Sequence, residues 1–259
     1  MLSPKQHRLA EQVQRAQTVL ATDLDGTFLG GREAERRALY SYLTDQTHTA
    51  LIFVTGRDKS HIKHLIEDEG VPRPQFVIGD VGTSVLDGDD LLPVDPIEAW
   101  IDSHWPGDEN ARAALKEHEH HLTLQDVYGG RRRSYFISDR AKAYEAKAAV
   151  EKAGYDGIVS DDRFFDVLPR GIQKGPTLLK LIEMLNLEAR KVIAAGDTLN
   201  DLSLFRTGLP SVAVGNRETE LEAALPDGAH VFRADGHGAA GILEALHHFK
   251  MYVKPEPVL

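Results

Sequence analysis

Asp23 and Asp25 stand one residue apart in Thr22-Asp23-Leu24-Asp25-Gly26-Thr27, at the end of the apolar run 18–22. A second apolar run, Val192-Ile193-Ala194-Ala195, ends the same way, in Gly196-Asp197-Thr198-Leu199-Asn200-Asp201. Two strand-like segments thus each deliver carboxylates at a C-terminal end, where open α/β sheets place their sites. Four carboxylates brought together repel one another unless a cation joins them, and a hard divalent ion with oxygen ligands, Mg²⁺, is the natural neutraliser. Alternate side chains of an extended segment point the same way, so Asp23 and Asp25 can face one pocket. Asp23, held at the strand end, is the candidate nucleophile; a carboxylate that attacks phosphorus gives an aspartyl-phosphate. Asp25 is the candidate general acid for the leaving alkoxide and then the base for water. Gly26 lets the chain turn and brings backbone N–H groups near phosphoryl oxygens.

A transferring phosphoryl group also needs its charge matched. Thr55, which ends Leu51-Ile52-Phe53-Val54-Thr55, can donate its hydroxyl, with Gly56 permitting a close turn. Lys174 precedes Pro176, a residue suited to the first turn of a helix, and a lysine at a helix N-terminus can clamp phosphate. Asp197 can bind the metal; Asp201 can bind metal-bound water or orient Lys174. Taken singly, each segment reads as a turn, a cap or a solvated lysine. Their order and their common placement at strand ends carry the chemical reading.

The elements that would position these residues alternate. Strand-like runs fall at 18–22, 50–55, 75–78, 192–195, 211–214 and 230–232, and helix-like segments at 32–45, 59–69, 176–186, 201–207, 218–224 and 238–249. Apolar strands alternating with helices predict an α/β fold with a doubly wound, mainly parallel Rossmann-like sheet covered on both faces. Between 81 and 171 the pattern changes. Turn clusters (87–90, Gly129-Gly130) and a helical stretch from 96 to 121 broken at Pro106-Gly107 precede two strand candidates, 134–137 and 164–168, around a helix at 140–152. The expectation is a discontinuous core domain, 1–80 and 172–259, with an inserted α+β cap domain at 81–171. The tail 253–259 reads as a loose end.

Composition bounds the rest. The 259 residues, 42% of them hydrophobic, suffice for a full core. A formal net charge of −10 argues against nucleic acid as a partner. The chain has no cysteine, which excludes disulfides and thiolate chemistry. No apolar stretch approaches the roughly 20 residues that span a bilayer, and the first 17 residues lack an apolar signal core. A soluble, cytoplasmic protein without membrane partners is expected, as a monomer or small homo-oligomer.

In order along the chain, DLDGT (23–27), VTGR (54–57), Lys174 and GDTLND (196–201) resemble the motifs of the haloacid dehalogenase superfamily of phosphatases and phosphotransferases. The insertion looks like that superfamily's type IIB cap. VGT (81–83), RRSYFIS (132–138) and FDVLPRGIQKGPTL (165–178) resemble its sucrose-phosphate-phosphatase-like branch. Two features depart from the branch: Ile172-Gln173 precede Lys174 where small residues are expected, and the helical leader before Thr18 lies outside the family core. The resemblance implies a Mg²⁺-dependent phosphatase acting on a sugar phosphate, such as a phosphorylated disaccharide. Asp23, the carbonyl of Asp25, and Asp197 would hold the metal. Thr55 and Lys174 would hold the phosphoryl group, and Asn200 and Asp201 would complete the site.

Substrate choice is expected in the cap. Arg131, Arg132, Arg133, Tyr135 and Arg170 are the candidates there, with Gly56, Arg57 and Thr83 on the core side; the plain alternative for the arginine run is a solvated strand start. His118 and His121 are spaced to chelate, but a polar helix face is the better reading, and His247-His248 read as surface. Two other functions share these motifs. A hexose-phosphate phosphomutase would need a second phosphate site in the cap and would isomerise its substrate rather than release phosphate. A non-catalytic sugar-phosphate-binding regulator would give Asp25 no purpose.

Overall fold

The computed structural model describes residues 1–44, 48–68, 70–127 and 130–252. In chain order the elements are α1 (Pro4–Arg15), β1 (Thr18–Thr22), α2 (Glu33–Thr44), β2 (Thr49–Val54), α3 (Lys59–Asp68), β3 (Phe76–Gly79), β4 (Ser84–Asp87), α4 (Asp95–His104), α5 (Glu109–Leu115), β5 (Leu122–Leu124), β6 (Arg133–Ile137), α6 (Arg140–Lys152), β7 (Tyr155–Ser160), β8 (Phe164–Pro169), α7 (Lys174–Met184), β9 (Val192–Gly196), α8 (Leu202–Phe205), β10 (Ser211–Ala213), α9 (Thr219–Ala224), β11 (Val231–Arg233) and α10 (Ala239–His248). The expected helix ends at Asp45 and Glu69, the turn at Gly129 and the tail 253–259 lie outside the described residues.

One sheet has seven strands in the order β11-β10-β9-β1-β2-β3-β4, parallel except for β4. Its strands read as apolar runs because both faces are covered. Val19 and Ala21 of β1, Ile52 and Val54 of β2, and Val192 and Ala194 of β9 pack with α1, α4 and α7. Their neighbours Leu20, Leu51, Phe53, Ile193 and Ala195 pack on the opposite face with α2, α3 and α10. The chain winds outward from β1 to β2 on one side and returns to β9 on the other. β1 and β9 therefore flank the point where strand order reverses, and a crevice opens there beyond the strand ends. The leader helix α1 is part of this core. Its Leu9, Ala10 and Val13 are buried, and Gln6 Nε2 donates to Asp87 Oδ2 (3.1 Å) and to the Pro93 carbonyl (3.0 Å).

The second sheet, β5-β6-β8-β7, is antiparallel. Alternation splits it cleanly. Tyr135, Phe165, Val167 and Val159 pack against Ala111, Ala143, Ala146 and Val150 of α5 and α6. Phe136, Phe164, Asp166 and Ser160 face the other way and line the crevice. The segment 81–104 does not go with this sheet: β4 pairs with β3, and Ile97 and Ile101 of α4 are buried against the large sheet. A hairpin strand extends a sheet edge more readily than it founds a new lobe. β5 and β7 stand where no strand was expected, because β5 is largely exposed and β7 opens with Tyr155-Asp156-Gly157. No helix among the described residues is long and apolar enough to cross a membrane.

Candidate active site

Asp23 is the first residue beyond β1. Its N–H donates to the Ala195 carbonyl (2.9 Å), which ties it to β9. Asp25 (φ −72°, ψ 122°) and Gly26 (φ 79°, ψ −24°) have the dihedrals of a type II turn, which requires positive φ at its second central residue. The turn is tight for a second reason: a Cβ on Gly26 would lie 2.1 Å from Asp197 Oδ2. Gly26→Ala combines that collision with an unfavourable φ, and is expected to lower stability by about 1–3 kcal/mol. Urea unfolding measures it; an unchanged midpoint would show that Asp197 simply moves aside.

Asp197 follows β9. Its Oδ1 accepts from Thr27 Oγ1 (2.7 Å) and its Oδ2 from Asn216 Nδ2 (3.3 Å). Lys174 is the first residue of α7 and is wholly buried. Its Nζ donates to Asp23 Oδ1 (2.7 Å), Asn200 Oδ1 (2.6 Å) and Asp201 Oδ1 (2.6 Å). The other oxygen of Asp201 accepts the N–H groups of Asp197 (3.0 Å) and Thr198 (3.1 Å). Asp201 therefore orients both the lysine and the metal-ligand candidate. Thr177 Oγ1 donates to the Gly82 carbonyl (2.7 Å), which clamps the first turn of α7 to the β3–β4 turn and so sets where Lys174 points.

Charge is concentrated here. One carboxylate oxygen each of Asp23, Asp197 and Asp201 lie within 4.8 Å of one another, all three residues buried. Burial pushes the Asp23 carboxyl up to about 7, with Lys174 opposing and Asp201 adding to the rise. Burial, then Asp23 and Asp201, push Asp197 up to about 9. Burial pulls the Lys174 ammonium down, but Asp201 and Asp23 outweigh it and keep it charged. One lysine does not neutralise three carboxylates, so the donor set fits a hard divalent cation. Asp25 stands apart from the triad: its side chain is 64% exposed and takes a two-pronged ion pair from Arg57, Nε to Oδ2 (2.9 Å) and Nη2 to Oδ1 (2.7 Å).

A cleft of 730 Å³ opens above these groups. Asp23, Asp25, Gly26, Gly56, Arg57, Asp197 and Asn200 form its core side; Arg132, Phe136, Phe164, Asp166 and Ser160 form the small-sheet side. Lys174 and Thr55 are wholly buried and do not line it; Thr55 Oγ1 instead accepts the Arg57 N–H (3.1 Å). Of the expected sugar-binding residues, Arg132, Arg57 and Gly56 line the cleft. Arg131 is drawn to Glu98 (2.5 Å) and Asp102 (2.6 Å), and Arg133 to Asp108 (2.6 Å) and the Tyr135 hydroxyl (2.7 Å). Tyr135 itself packs in the small lobe's interior. Arg170 donates to the Glu151 carbonyl, and Thr83 Oγ1 to the Asp80 carbonyl. Carboxylates brought in from elsewhere in the chain engage Arg131 and Arg133, and backbone carbonyls engage Arg170 and Thr83. Arg132 Nη2 reaches Asp80 Oδ1 (3.0 Å), while its Nε and the Ser160 hydroxyl are buried without a hydrogen-bond partner. His118 and His121 adjoin a short 3₁₀ turn and join no metal-ligand group among the described residues. His247 and His248 are exposed and stack on Tyr252 and Phe232.

Two residues, Asp58 lining the cleft and Asn216 beside Asp197, escaped sequence reasoning. Asp58 caps α3 and accepts from Ser60 and His61. Asn216 bridges the Gly26 carbonyl (2.9 Å), Asp197 and the Gly238 N–H (2.8 Å). Its place after a third strand, in Val214-Gly215-Asn216, was the available signal.

A family model described as sucrose-6F-phosphate phosphohydrolase matches residues 16–250. The chain is 30% identical over 241 residues to a mannosylfructose-phosphate phosphatase of Agrobacterium fabrum, spanning 89% of this chain and 96% of that protein. It is 41% identical over 232 residues to a glucosylglycerol-phosphate synthase of Pseudomonas anguilliseptica, but spans only 30% of that protein's length. Among solved structures, the sucrose-phosphatase of Synechocystis in complex with sucrose and phosphate superposes with a TM-score of 0.80 at 25% identity, covering 91% of this chain and 98% of that one. The chain belongs to the sucrose-6F-phosphate phosphohydrolase family.

Proposed function

We propose that this chain is a Mg²⁺-dependent phosphatase that hydrolyses the phosphate monoester of a glycosylated sugar or polyol through a phospho-Asp23 intermediate. The observation that carries the reading is the position of Asp23: a buried carboxylate on the cleft floor, gripped by Lys174 and flanked by Asp197 and Asp201. Asp23 and Asp197 would hold the Mg²⁺, which supplies positive charge against the phosphoryl oxygens. Asp23 Oδ2, the oxygen not bonded to Lys174, forms the new bond to phosphorus as the ester oxygen leaves. Asp25 gives that oxygen its proton, then takes a proton from the water that cleaves phospho-Asp23, so phosphate departs and both carboxyls are restored. For either transfer Arg57 must release Asp25, and the phosphoryl group entering beside it is a competing acceptor for the guanidinium. Thr55 stays beneath the floor and shapes the Gly56-Arg57 turn.

The roof fits a sugar. Phe136 and Phe164 lie 5.8 Å apart between ring centres and line the cleft beside Asp166 and Arg132. Aromatic faces under a ring, with polar groups at its edge, suit a hydroxylated pyranose. The phosphatase relatives are named for phosphorylated disaccharides and the synthase for a glycosyl polyol phosphate, so a glycoside phosphate is the substrate class. The phosphomutase reading loses its footing, because Arg131 and Arg133 are engaged by Glu98, Asp102 and Asp108.

The test is phosphate release from sucrose 6-phosphate, mannosylfructose phosphate and glucosylglycerol phosphate, beside glucose, fructose and mannose phosphates. One glycoside phosphate is expected to lead, and chelation of Mg²⁺ by EDTA to abolish release until the ion is restored. Isomerised sugar phosphate without free phosphate would overturn the reading in favour of a mutase.

A further inference from the structure

Glu218 lies outside the catalytic cluster, yet it touches both lobes. Its N–H donates to the Asp197 carbonyl (2.8 Å). Its Oε2 accepts the Leu199 N–H (2.6 Å), in the loop that carries Asp197 and Asn200. Its Oε1 accepts the Asp161 N–H (2.5 Å), at the tip of the β7–β8 hairpin in the other lobe. That tip is stiff: Asp161 (φ 51°) and Asp162 (φ 47°) both occupy the left-handed region, and the Arg163 N–H closes the turn on the Ser160 carbonyl (3.2 Å). Ser160 and Arg163 of the same tip line the cleft. A second strap runs beside it, where Arg140 of α6 bridges Asp162 and Glu220, each at 2.8 Å.

We propose that Glu218 is a positioning residue: its carboxylate latches the hairpin tip of the small lobe to the loop bearing Asp197, and so sets the position of the roof over the substrate. The chemistry favours a carboxylate at that point. Two backbone N–H groups, one from each lobe, converge on it, and both are satisfied only by a side chain with two acceptor oxygens. Four acidic residues meet there (Asp161, Asp162, Glu218 and Glu220), so the contact does not hold by charge alone. Directed N–H donors and Arg140 hold it. Separation of the lobes at this edge breaks the Asp161 bond but leaves the Leu199 and Asp197 bonds intact, which makes Asp161 the releasable half.

Glu218→Gln in the full chain tests this. The amide keeps the size but offers one acceptor and turns a donor toward a donor. Amide exchange is expected to accelerate at Asp161 roughly tenfold or more, with the α6 segment 143–150 unchanged. The kinetic arm rests on the proposed phosphatase function: KM for the preferred glycoside phosphate should rise about tenfold, while kcat/KM for p-nitrophenyl phosphate, which has no glycosyl unit to be roofed, stays at the native value. Unchanged exchange at Asp161 would overturn the latch. Equal losses with both substrates would also overturn it, by showing damage to the Asp197 loop alone. If the native chain releases no phosphate from any substrate, the proposed function fails, and exchange at Asp161 still decides the latch.

Discussion

Asp23→Asn is expected to abolish phosphate release, with a loss on the order of 10⁴-fold or more, in a chain that keeps its fold. The substitution removes the attacking oxygen together with one negative charge that faces Lys174 and the proposed Mg²⁺ position. Asn still offers an acceptor to Lys174 Nζ where Asp23 Oδ1 now stands at 2.7 Å. Burial already pushes the Asp23 carboxyl up to about 7, so its charge is held at a cost and a neutral isostere relieves that cost. Stability in the absence of Mg²⁺ should therefore match or exceed that of the native chain, which separates lost chemistry from lost structure. Rapid-quench trapping should find phosphate on the native chain and none on the variant. Near-native turnover by Asp23→Asn would remove Asp23 as the nucleophile.

Lys174→Met has the opposite character. Methionine fills much of the same volume but leaves Asp23 Oδ1, Asn200 Oδ1 and Asp201 Oδ1 without their shared donor. Deleting one member of a buried ion cluster is costly because the charges left behind are desolvated and uncompensated, and about 3–5 kcal/mol is expected here. The urea midpoint of the metal-free variant measures it. Mg²⁺ should restore part of the loss, since an ion that binds only the folded state stabilises it by mass action. A variant as stable as the native chain would mean that the carboxylates accommodate one another without the lysine, and the account of the cluster given above would fall.

The carboxylate cluster was legible in the sequence for a definite reason. Parallel strands buried on both faces read as unbroken apolar runs, so 18–22 and 192–195 announced themselves and the carboxylates at their ends could be paired. Most helices were legible to within a residue or two, with 140–152 recovered as Arg140–Lys152, whereas the stretch expected to reach 121 ends as an α-helix at Leu115. Elements that are exposed or that open with polar residues, such as β5 and β7, gave no such signal. Nor could the sequence show that β4 and α4 complete the large sheet, because an edge hairpin and a new lobe begin with the same turn.

The arginine run marks the boundary most clearly. In sequence Arg131, Arg132 and Arg133 are equivalent; in the fold they go to α4, to Asp80 in the β3–β4 turn, and to Asp108. Their ion partners lie more than twenty residues away, and adjacent side chains of an extended segment point to opposite faces. By itself the sequence determined which acidic groups stand at the strand ends, since residue type and strand-end placement are local properties. Tertiary structure alone decided which polar side chains line the cleft, that Lys174 lies beneath Asp23, and that Glu218 joins the two lobes. Each of these depends on groups brought together across long stretches of chain, where geometry and competing partners, not spacing, select the contact.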